Sequence, residues 1–243
     1  MLANAGLGSR RQVERWIAAG RVVVDGRPAK IGEQLDGHEK VFFDGQRVKL
    51  DKAPGSRSTQ STIAYYKPAG ELTGQRDPEG RKTVFDSLPK PPRGRWVSVG
   101  RLDLSTSGLL LLTTDGELAH RLMHPSYEIS REYAVRLLGS LSDEQLRQLS
   151  TGIVLDDGPA KFERIRFSGG EGQNVWYHVS LREGRNREVR RIFEALGITV
   201  SRLIRIRYGP IELGSLKRGL HRKLAGNELT ALYQSVQLRP PTR

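Results

Sequence analysis

The chain has 243 residues, 37 % of them hydrophobic, which is enough for one large domain with a smaller module beside it. It contains no cysteine, and this excludes disulfides, thiolate metal sites and a cysteine nucleophile. Forty Lys and Arg residues against 27 Asp and Glu give a net charge of +13, which favours a polyanion such as nucleic acid as the partner and leaves an inert basic surface as the alternative.

No apolar run approaches the ~20 residues that a membrane-spanning helix needs, and the N-terminus shows no secretory signal. A long basic amphipathic helix, which binding to a membrane surface would require, is not visible either. Together with the lack of cysteine, these features predict a cytoplasmic protein without a membrane partner.

Residues 1–52 are predicted to form a small module. Ser9 is a suitable N-cap for a helix that begins at Arg10, because a serine hydroxyl accepts hydrogen bonds from the first free amides. Two apolar runs of this module each end in an Asp-Gly pair, at 25–26 and at 44–45, and such pairs are typical of tight hairpin turns.

The predicted helix of this module carries arginines away from its apolar stripe. Arg10, Arg11 and Arg15 lie mainly on the side opposite Trp16. They are candidates for binding RNA phosphates, and an ordinary solvated helix surface explains them equally well.

Residues 53–62 are predicted to be a flexible linker, because no large apolar side chain occurs from residue 51 to residue 62. The module before the linker holds 10 basic and 7 acidic side chains, a net charge of +3, which leaves +10 for the rest of the chain. The larger domain, residues 63–243, is therefore expected to contact the nucleic acid itself.

In the larger domain, short β-type runs outnumber helices. Residues 175–181 alternate apolar and polar side chains as a strand does, and two helices are indicated, one from Gly116 to Met123 and one from Arg187 to Leu196. This pattern predicts an α+β fold with a mixed, largely antiparallel sheet.

Loop 100–108 lies between two apolar runs and contains an arginine and an aspartate two positions apart. On an extended segment Arg101 and Asp103 face the same side, so the cation keeps the carboxylate ionised and oriented, as a nucleophile or base requires. An Asx-type turn of Asp103 with Ser105 or Thr106 explains the same residues, and physical reasoning alone favours that turn.

Other catalytic motifs are missing. The sequence has no Walker loop, no dinucleotide-binding fingerprint and no His-Glu-x-x-His motif. His120 and His124 have the spacing of metal ligands on a helix, but the sequence offers no obvious third ligand, and surface histidines are the favoured interpretation.

Four segments, in order along the chain, resemble the motifs of RNA pseudouridine synthases of the RsuA/RluB type. The central motif, Gly-Arg-Leu-Asp-Leu-Ser-Thr-Ser-Gly, begins at Gly100. The other three are Tyr66–Gly70, Arg131–Val135 and Glu183–Arg191. Residues 8–11 and 20–26 resemble the S-four-type RNA-binding module that the family carries, so the resemblance covers nearly the whole chain.

The resemblance implies a pseudouridine synthase fold and the isomerisation of a uridine in RNA without a cofactor or a metal. It places the catalytic carboxylate at Asp103, which acts on a flipped-out uridine because the reacting atoms are inaccessible in a stacked helix. Attack on the base, attack on the sugar and assisted glycosidic cleavage all stay open as routes. Arg101 matches the arginine that holds the extruded nucleotide, and Tyr133 matches the tyrosine that stacks on the base and handles its C5 proton.

The motif at Glu183–Arg191 supplies the expected cations. Relative to the apolar stripe of the predicted helix, Arg190 lies on the flank, from which it can reach inward and pair with the Asp103 carboxylate. The alternative is a flank arginine that only covers apolar surface. The expected phosphate contacts are the other three arginines of the motif, Arg185, Arg187 and Arg191.

Three further basic residues are expected at the RNA. Lys67, in the first motif, is predicted to form the floor of the site and to meet the RNA, with simple packing as the alternative. Arg205 and Arg207 are predicted to face the RNA, because strand alternation turns Ile204 and Ile206 into the core.

Segments 77–81, 167–172 and 202–209 resemble the members of the family that act on large-subunit (23S) ribosomal RNA. A uridine of that RNA is therefore the expected substrate, and the protein is expected to act as a monomer. Small-subunit ribosomal RNA is the alternative substrate, and a non-catalytic rRNA-binding or ribosome-assembly factor is the alternative function. Relative to the family, Met1 falls within a Leu-rich helical segment, so we expect a shortened first helix or a start upstream.

Overall fold

The protein is described by a computed structural model that covers residues 2, 7–8, 10–35, 38–48, 60–75, 77–92 and 94–241, with only the backbone of Arg10. The predicted N-cap Ser9, the side chain of Arg10 and residues 53–59 of the predicted linker lie outside the described residues.

A helix and a small antiparallel sheet form the N-terminal module. Its elements are α1 Arg10–Ala18, β1 Val22–Val24, β2 Arg27–Pro28, β3 Val41–Phe43 and β4 Gln46–Val48. The strands lie in the order β2-β1-β3-β4. Asp25 and Asp44 have positive φ angles of 47° and 48°, and a glycine with positive φ follows each of them. Both turns are therefore of the I′ type that Asp-Gly pairs predict.

The larger domain is built on a nine-stranded sheet. The strands after the module are β5 Thr62–Lys67, β6 Val97–Val99, β7 Ser107–Thr113, β8 Arg131–Leu137, β9 Ile153–Leu155, β10 Gly158–Ala160, β11 Arg164–Glu171, β12 Asn174–Leu181, β13 Val200–Tyr208, β14 Ile211–Glu212 and β15 His221–Lys223. The main path through the sheet is β11-β12-β8-β13-β7-β5-β15, and β9 forms a separate hairpin with β10. Among these described strands, β7 and β13 are the only parallel neighbours, which confirms the predicted mixed, largely antiparallel sheet.

Four helices complete the larger domain: α2 Gly116–Met123, α3 Asp143–Thr151, α4 Glu188–Glu194 and α5 Gly226–Gln234. Helix α2 has the predicted bounds, because the Asp115 carboxylate accepts hydrogen bonds from the amides of Glu117 and Leu118, at 3.0 and 3.1 Å. Helix α4 begins one residue later than predicted, since Arg187 takes a left-handed conformation at its N-cap.

Two hydrophobic clusters cover opposite faces of the sheet. On one face, Val135, Tyr177 and Val179 pack with Leu149 of α3 and residues of α4. On the other face, α2 and α5 cover the half of the sheet that contains β5, β7 and β13. Every residue of β7 is buried, which explains its unbroken run of four leucines. Within the part of the chain that the structure describes, no helix is both long and apolar enough to cross a membrane.

Candidate active site

The loop that carries Asp103 connects β6 to β7, and a glycine stands at each of its ends. Gly100 has φ +75°, which turns the chain out of β6. Gly108 has φ +108° and lies opposite Arg205 of β13, where an added Cβ would be 2.3 Å from the Arg205 carbonyl oxygen. Only glycine therefore allows β7 to approach β13 this closely.

Lys67 fixes the Asp103 loop through hydrogen bonds to backbone carbonyl oxygens. Its Nζ donates hydrogen bonds to the carbonyl oxygens of Pro68 at 2.9 Å, Asp103 at 3.1 Å and Thr106 at 2.9 Å. The side chain is fully buried, and burial lowers the pKa of Lys67 to about 8. All three donors of Lys67 are used inside the protein, which leaves none for the RNA contact predicted from the sequence, and its predicted part in shaping the site is limited to holding the Asp103 loop.

Further bonds fix the loop against the segment after the first motif. Thr73 Oγ1 donates to the Leu102 carbonyl oxygen at 2.8 Å and accepts from the Leu102 amide at 3.2 Å. The Gly70 amide donates to the Leu104 carbonyl oxygen at 2.8 Å. Sequence reasoning missed Thr73, since an isolated threonine in an irregular segment carries no periodic signal.

The Asx-turn interpretation of Asp103 is wrong. The Thr106 amide donates to the backbone carbonyl of Asp103, at 3.0 Å, and not to its side chain. Among the described residues, the Asp103 carboxylate accepts no hydrogen bond and has no cationic nitrogen within 4.0 Å. The turn is closed by the backbone, so the half-buried carboxylate is available to a ligand.

Asp103 opens into a cavity of about 600 Å³, called here the Asp103 cavity. Its walls come from the Asp103 loop, the start of β8 and the segment from Leu181 to Val189. Tyr133 of β8 lines it with only 8 % of its surface exposed, and the exposed side chain of Arg101 lies at its edge. The structure thus brings Arg101, Asp103 and Tyr133 together as predicted.

Arg190 reaches inward from α4, but it does not form the predicted ion pair with Asp103. Its Nη1 donates to the Val200 carbonyl oxygen at 2.9 Å, and its Nη2 donates to the Ser105 carbonyl oxygen at 3.4 Å. Burial lowers the pKa of Arg190, and the nearby charge of Asp103 opposes that shift. The guanidinium therefore braces the loop that carries Asp103, because its outer nitrogens are engaged by backbone carbonyls.

Two buried arginines form the cationic floor of the Asp103 cavity. Arg205 is 2 % exposed, its Nε donates to the Leu109 carbonyl oxygen at 2.7 Å, and its Cζ lies 5.1 Å from the ring centre of Tyr208. Arg205 lines the Asp103 cavity on the same side of β13 as Leu203, so its contact with RNA stays a prediction, whereas a bulge between Arg205 and Arg207 turns Arg207 out of that side. Ile204 packs against the opposite hydrophobic cluster, as the alternation predicts.

Arg131 is the second floor arginine, and sequence reasoning missed it. Its Nη1 donates to the Glu183 carbonyl oxygen at 3.0 Å, and its Nη2 donates to the Tyr208 hydroxyl at 3.2 Å. A signal was present, because Arg131 and Tyr133 are two positions apart at the start of a strand and so share a face.

The three arginines predicted to contact phosphates are all held by carboxylates. Arg185 pairs with Asp157 at 3.1 Å, Arg191 pairs with the other oxygen of Asp157 at 2.8 Å, and Arg187 pairs with Glu194 at 3.3 Å. Arg185 and Arg187 line the Asp103 cavity, and the described lining does not include Arg191. No pattern in the sequence indicated Asp157, which lies in the turn between β9 and β10.

The remaining predicted contacts lie away from the cavity. Arg207 is exposed and pairs with Glu132 at 3.4 Å and with Glu212 at 2.5 Å. Arg11 is exposed on α1 of the N-terminal module. His124 Nδ1 lies 2.7 Å from Ser126 Oγ, and the described residues contain no group of three or more potential metal ligands.

Comparison with known proteins identifies the family. The model of the RNA pseudouridylate synthase family matches residues 61–195. This chain belongs to the RNA pseudouridylate synthase family. The synthase also carries an S4 domain, matched over residues 1–41, and both matches confirm the resemblance seen in the motifs.

Relatives and a solved structure match this synthase over nearly its whole length. It is 54 % identical to the Ribosomal large subunit pseudouridine synthase B of Escherichia coli K12, over 100 % of this chain and 84 % of that protein. The protein of the same description in Pseudomonas aeruginosa is 51 % identical over 99 % of this chain, which spans 62 % of that longer protein. The crystal structure of a pseudouridylate synthase aligns with a TM-score of 0.65 and 26 % identity, covering 95 % of this chain and 96 % of that one. The pseudouridine synthase fold is thereby confirmed.

Proposed function

We propose that this synthase converts a specific uridine of large-subunit ribosomal RNA to pseudouridine, with Asp103 as the catalytic carboxylate. The observation that carries the proposal is the free Asp103 carboxylate at a cavity whose floor is cationic and whose wall includes Tyr133. The descriptions of the relatives in Escherichia coli and Pseudomonas aeruginosa support large-subunit ribosomal RNA as the substrate.

The proposed reaction is an isomerisation that needs no second substrate. The bond between N1 of the base and C1′ of the ribose breaks, the base rotates, and a bond forms between C5 and C1′. The C5 proton is lost and N1 gains a proton, so atoms and charge balance. A cavity of about 600 Å³ has room for a single flipped-out nucleotide, which fits a reaction that takes one base out of the stack.

Each residue of the site has a proposed role. Asp103 acts on the uridine by one of the open routes, and Tyr133 stacks on the base and takes part in the transfer of its C5 proton. Arg101 binds the phosphate of the extruded nucleotide, because it is an exposed cation at the cavity edge. Lys67 and Arg190 are positioning residues, since their donors engage backbone carbonyls of the loop or of β13.

The decisive experiment replaces the carboxylate with an amide of the same shape. We expect Asp103→Asn to bind ribosomal RNA normally and to lose at least about 10³-fold in kcat, because an amide cannot act as a nucleophile or base. Pseudouridine-specific chemical mapping of the RNA measures the product. The matched control is Asp143→Asn, an exposed aspartate in the first turn of α3, which should keep full activity. Full activity of Asp103→Asn would refute the proposed role.

The substrate is tested separately from the catalytic role. Mapping pseudouridines in all ribosomal RNA from a strain that lacks the gene should show one lost site in the large subunit. A site lost from small-subunit RNA would replace the proposed substrate, and an unchanged map would favour a non-catalytic rRNA-binding factor. Light scattering of the purified protein tests the proposed monomer, and fractionation of cells tests the proposed cytoplasmic location.

A further inference from the structure

A second surface with RNA-binding chemistry lies on the sheet face opposite Tyr133. Strand pairing places Trp176 of β12 directly between Gly169 of β11 and Arg136 of β8, and Arg202 of β13 is the next residue in the same row. We call the side of β11, β12 and β8 that carries Trp176, together with Arg202, the Trp176 face.

The Trp176 face has no hydrophobic cover among the described residues. The first hydrophobic cluster takes Val175, Tyr177 and Val179 from the other side of β12. The strands that contribute to the second cluster are β5, β6, β7, β13 and β14, and none of its members comes from β8, β11 or β12. Trp176 belongs to neither cluster, so this large aromatic residue is half-buried on an otherwise polar surface.

The ring of Trp176 is available for stacking. Gly169 places no side chain beside it in the row, and among the described residues the indole has no hydrogen bond and no ring contact. Other tryptophans are engaged: the Nε1 of Trp96 donates to the Pro89 carbonyl oxygen, and the ring of Trp16 packs on Phe43. An open aromatic ring on a sheet is the platform on which unpaired bases stack in single-stranded RNA recognition.

Arginines without a carboxylate partner lie along the Trp176 face. Within the described parts of the chain, no ion pair involves Arg136, Arg164, Arg166 or Arg202. The Arg136 Nε donates to Ser201 Oγ at 2.9 Å, and that hydroxyl donates to the Arg136 carbonyl oxygen at 3.0 Å, which fixes the side chain beside Trp176.

The carboxylates on this face do not neutralise these arginines. Glu132 is shared by Arg207 at 3.4 Å and His178 at 3.5 Å, two strand positions or more from the Trp176 row. Glu171 lies opposite Asn174, at the far end of the β11–β12 pair. The positive charge next to Trp176 therefore stays uncompensated and complements a phosphate backbone.

We propose that the Trp176 face binds a single-stranded segment of the RNA substrate, distinct from the nucleotide in the Asp103 cavity. Trp176 stacks on an unpaired base, and Arg136, Arg166 and Arg202 bind the adjoining phosphates. The proposal rests on the membership of this chain in an RNA-modifying family and not on the role of Asp103. A protein partner is the competing occupant, but three arginines without an ion pair in or next to the row of Trp176 favour RNA.

The test measures the binding of a fluorescein-labelled oligo(U) 12-mer to the full chain by anisotropy. We expect Trp176→Ala to weaken binding about 10-fold, because stacking on an aromatic side chain contributes ~1–3 kcal/mol per base. The matched control Trp176→Phe should keep most of the affinity, since it retains an aromatic face. A labelled RNA duplex of the same length should bind all three proteins alike.

A second variant keeps the test valid if Trp176→Ala fails to fold. Arg202 is exposed, so Arg202→Gln leaves the core untouched and should still weaken oligo(U) binding and flatten its salt dependence. Photo-crosslinking with 4-thiouridine oligonucleotide should label the peptide that contains Trp176, and the label should persist in Asp103→Asn. Unchanged affinity in both variants, or crosslinks confined to the Asp103 cavity, would overturn the proposal. Inactivity of the wild-type protein on ribosomal RNA, by contrast, would count against the proposed function alone.

Discussion

At the scale of single residues, Lys67 shows how a buried charge organises the site. An ammonium group has three N–H donors, and here each of them meets one backbone carbonyl of the loop or of the first motif. A neutral amine keeps only two N–H groups and brings a lone pair toward the oxygens. The geometry around Asp103 therefore depends on the charge state of a residue whose donors are all used inside the protein.

Loosening of the Asp103 loop with rising pH is the expected consequence. Because burial lowers the pKa of Lys67 to about 8, the ammonium is present below pH 8 and is lost as the pH rises through that value. We expect the hydrogen-exchange protection of the Thr106 amide, which bonds to the Asp103 carbonyl oxygen, to fall between pH 7 and pH 9.

The internal control for this measurement is the Thr114 amide, which bonds to the Ser61 carbonyl oxygen at 2.9 Å and lies away from Lys67. Its protection factor should stay constant over the same range. Equal behaviour of the two amides would contradict the role of Lys67. The free energy of unfolding changes in the opposite direction to this local protection. Because the folded-state pKa of Lys67 lies below the ordinary value of 10.5, the contribution of Lys67 to the free energy of unfolding increases from pH 8 to pH 10.5.

At the scale of elements, the contact between β7 and β13 depends on Gly108. Replacing it with alanine places a Cβ 2.3 Å from the Arg205 carbonyl oxygen and 2.6 Å from the Arg205 amide nitrogen, so the strands must separate. We expect Gly108→Ala to lower the free energy of unfolding by about 3 kcal/mol or more and to abolish activity. Denaturant unfolding and RNA mapping measure the two effects.

A matched control separates this clash from backbone strain. Gly139 has φ +102°, close to the +108° of Gly108, but an added Cβ there would meet nothing within 4 Å. Gly139→Ala therefore carries the cost of the backbone conformation without the clash, and it should be clearly less destabilising and remain active. Equal losses in the two variants would show that strand approach is not the reason for glycine at position 108.

Helix α4 begins at a strained residue that lines the cavity. Arg187 has φ 49°, a left-handed conformation that costs a non-glycine residue about 1 kcal/mol or more. We expect Arg187→Gly to raise the free energy of unfolding by about 0.5 kcal/mol, after the loss of the Glu194 ion pair, and to weaken RNA binding. Gln237→Gly, at φ 55° and away from the cavity lining, should stabilise the protein without changing RNA affinity. Unchanged RNA affinity of Arg187→Gly would contradict its predicted phosphate contact.

At the scale of the whole molecule, local patterns in the sequence predicted the helices and hairpins well but predicted the contacts between distant residues poorly. A helix cap such as Asp115 and a tight turn such as Asp-Gly each depend on only a few neighbouring residues. Helix α2 and the two hairpins of the module could therefore be predicted from the sequence. The fold family followed from ordered motifs. The direction in which Arg207 points did not follow, since it depends on a bulge formed against β8.

The candidate site was likewise predictable in part. The proximity of Arg101, Asp103 and Tyr133 was predictable, because resemblance to the motifs of a family carries information on tertiary structure that periodicity lacks. The partners of Lys67, Arg185 and Arg190 could not be foreseen, because each binds backbone or carboxylate groups that are distant in the chain. Reasoning from charge assigned all three to RNA or to Asp103, whereas the protein itself supplies their partners.

The parallel contact between β7 and β13 also bears on the order in which the molecule is completed during synthesis. Ser107 pairs with Ile204. Arg205 of β13 and Arg190 of α4 bond to backbone oxygens just after and within the Asp103 loop. A nascent chain that has emerged only as far as β12 holds the aspartate but not the strand and arginines that fix its loop. We therefore expect a chain that ends after β12 to leave the Asp103 loop without these contacts and to be inactive on RNA.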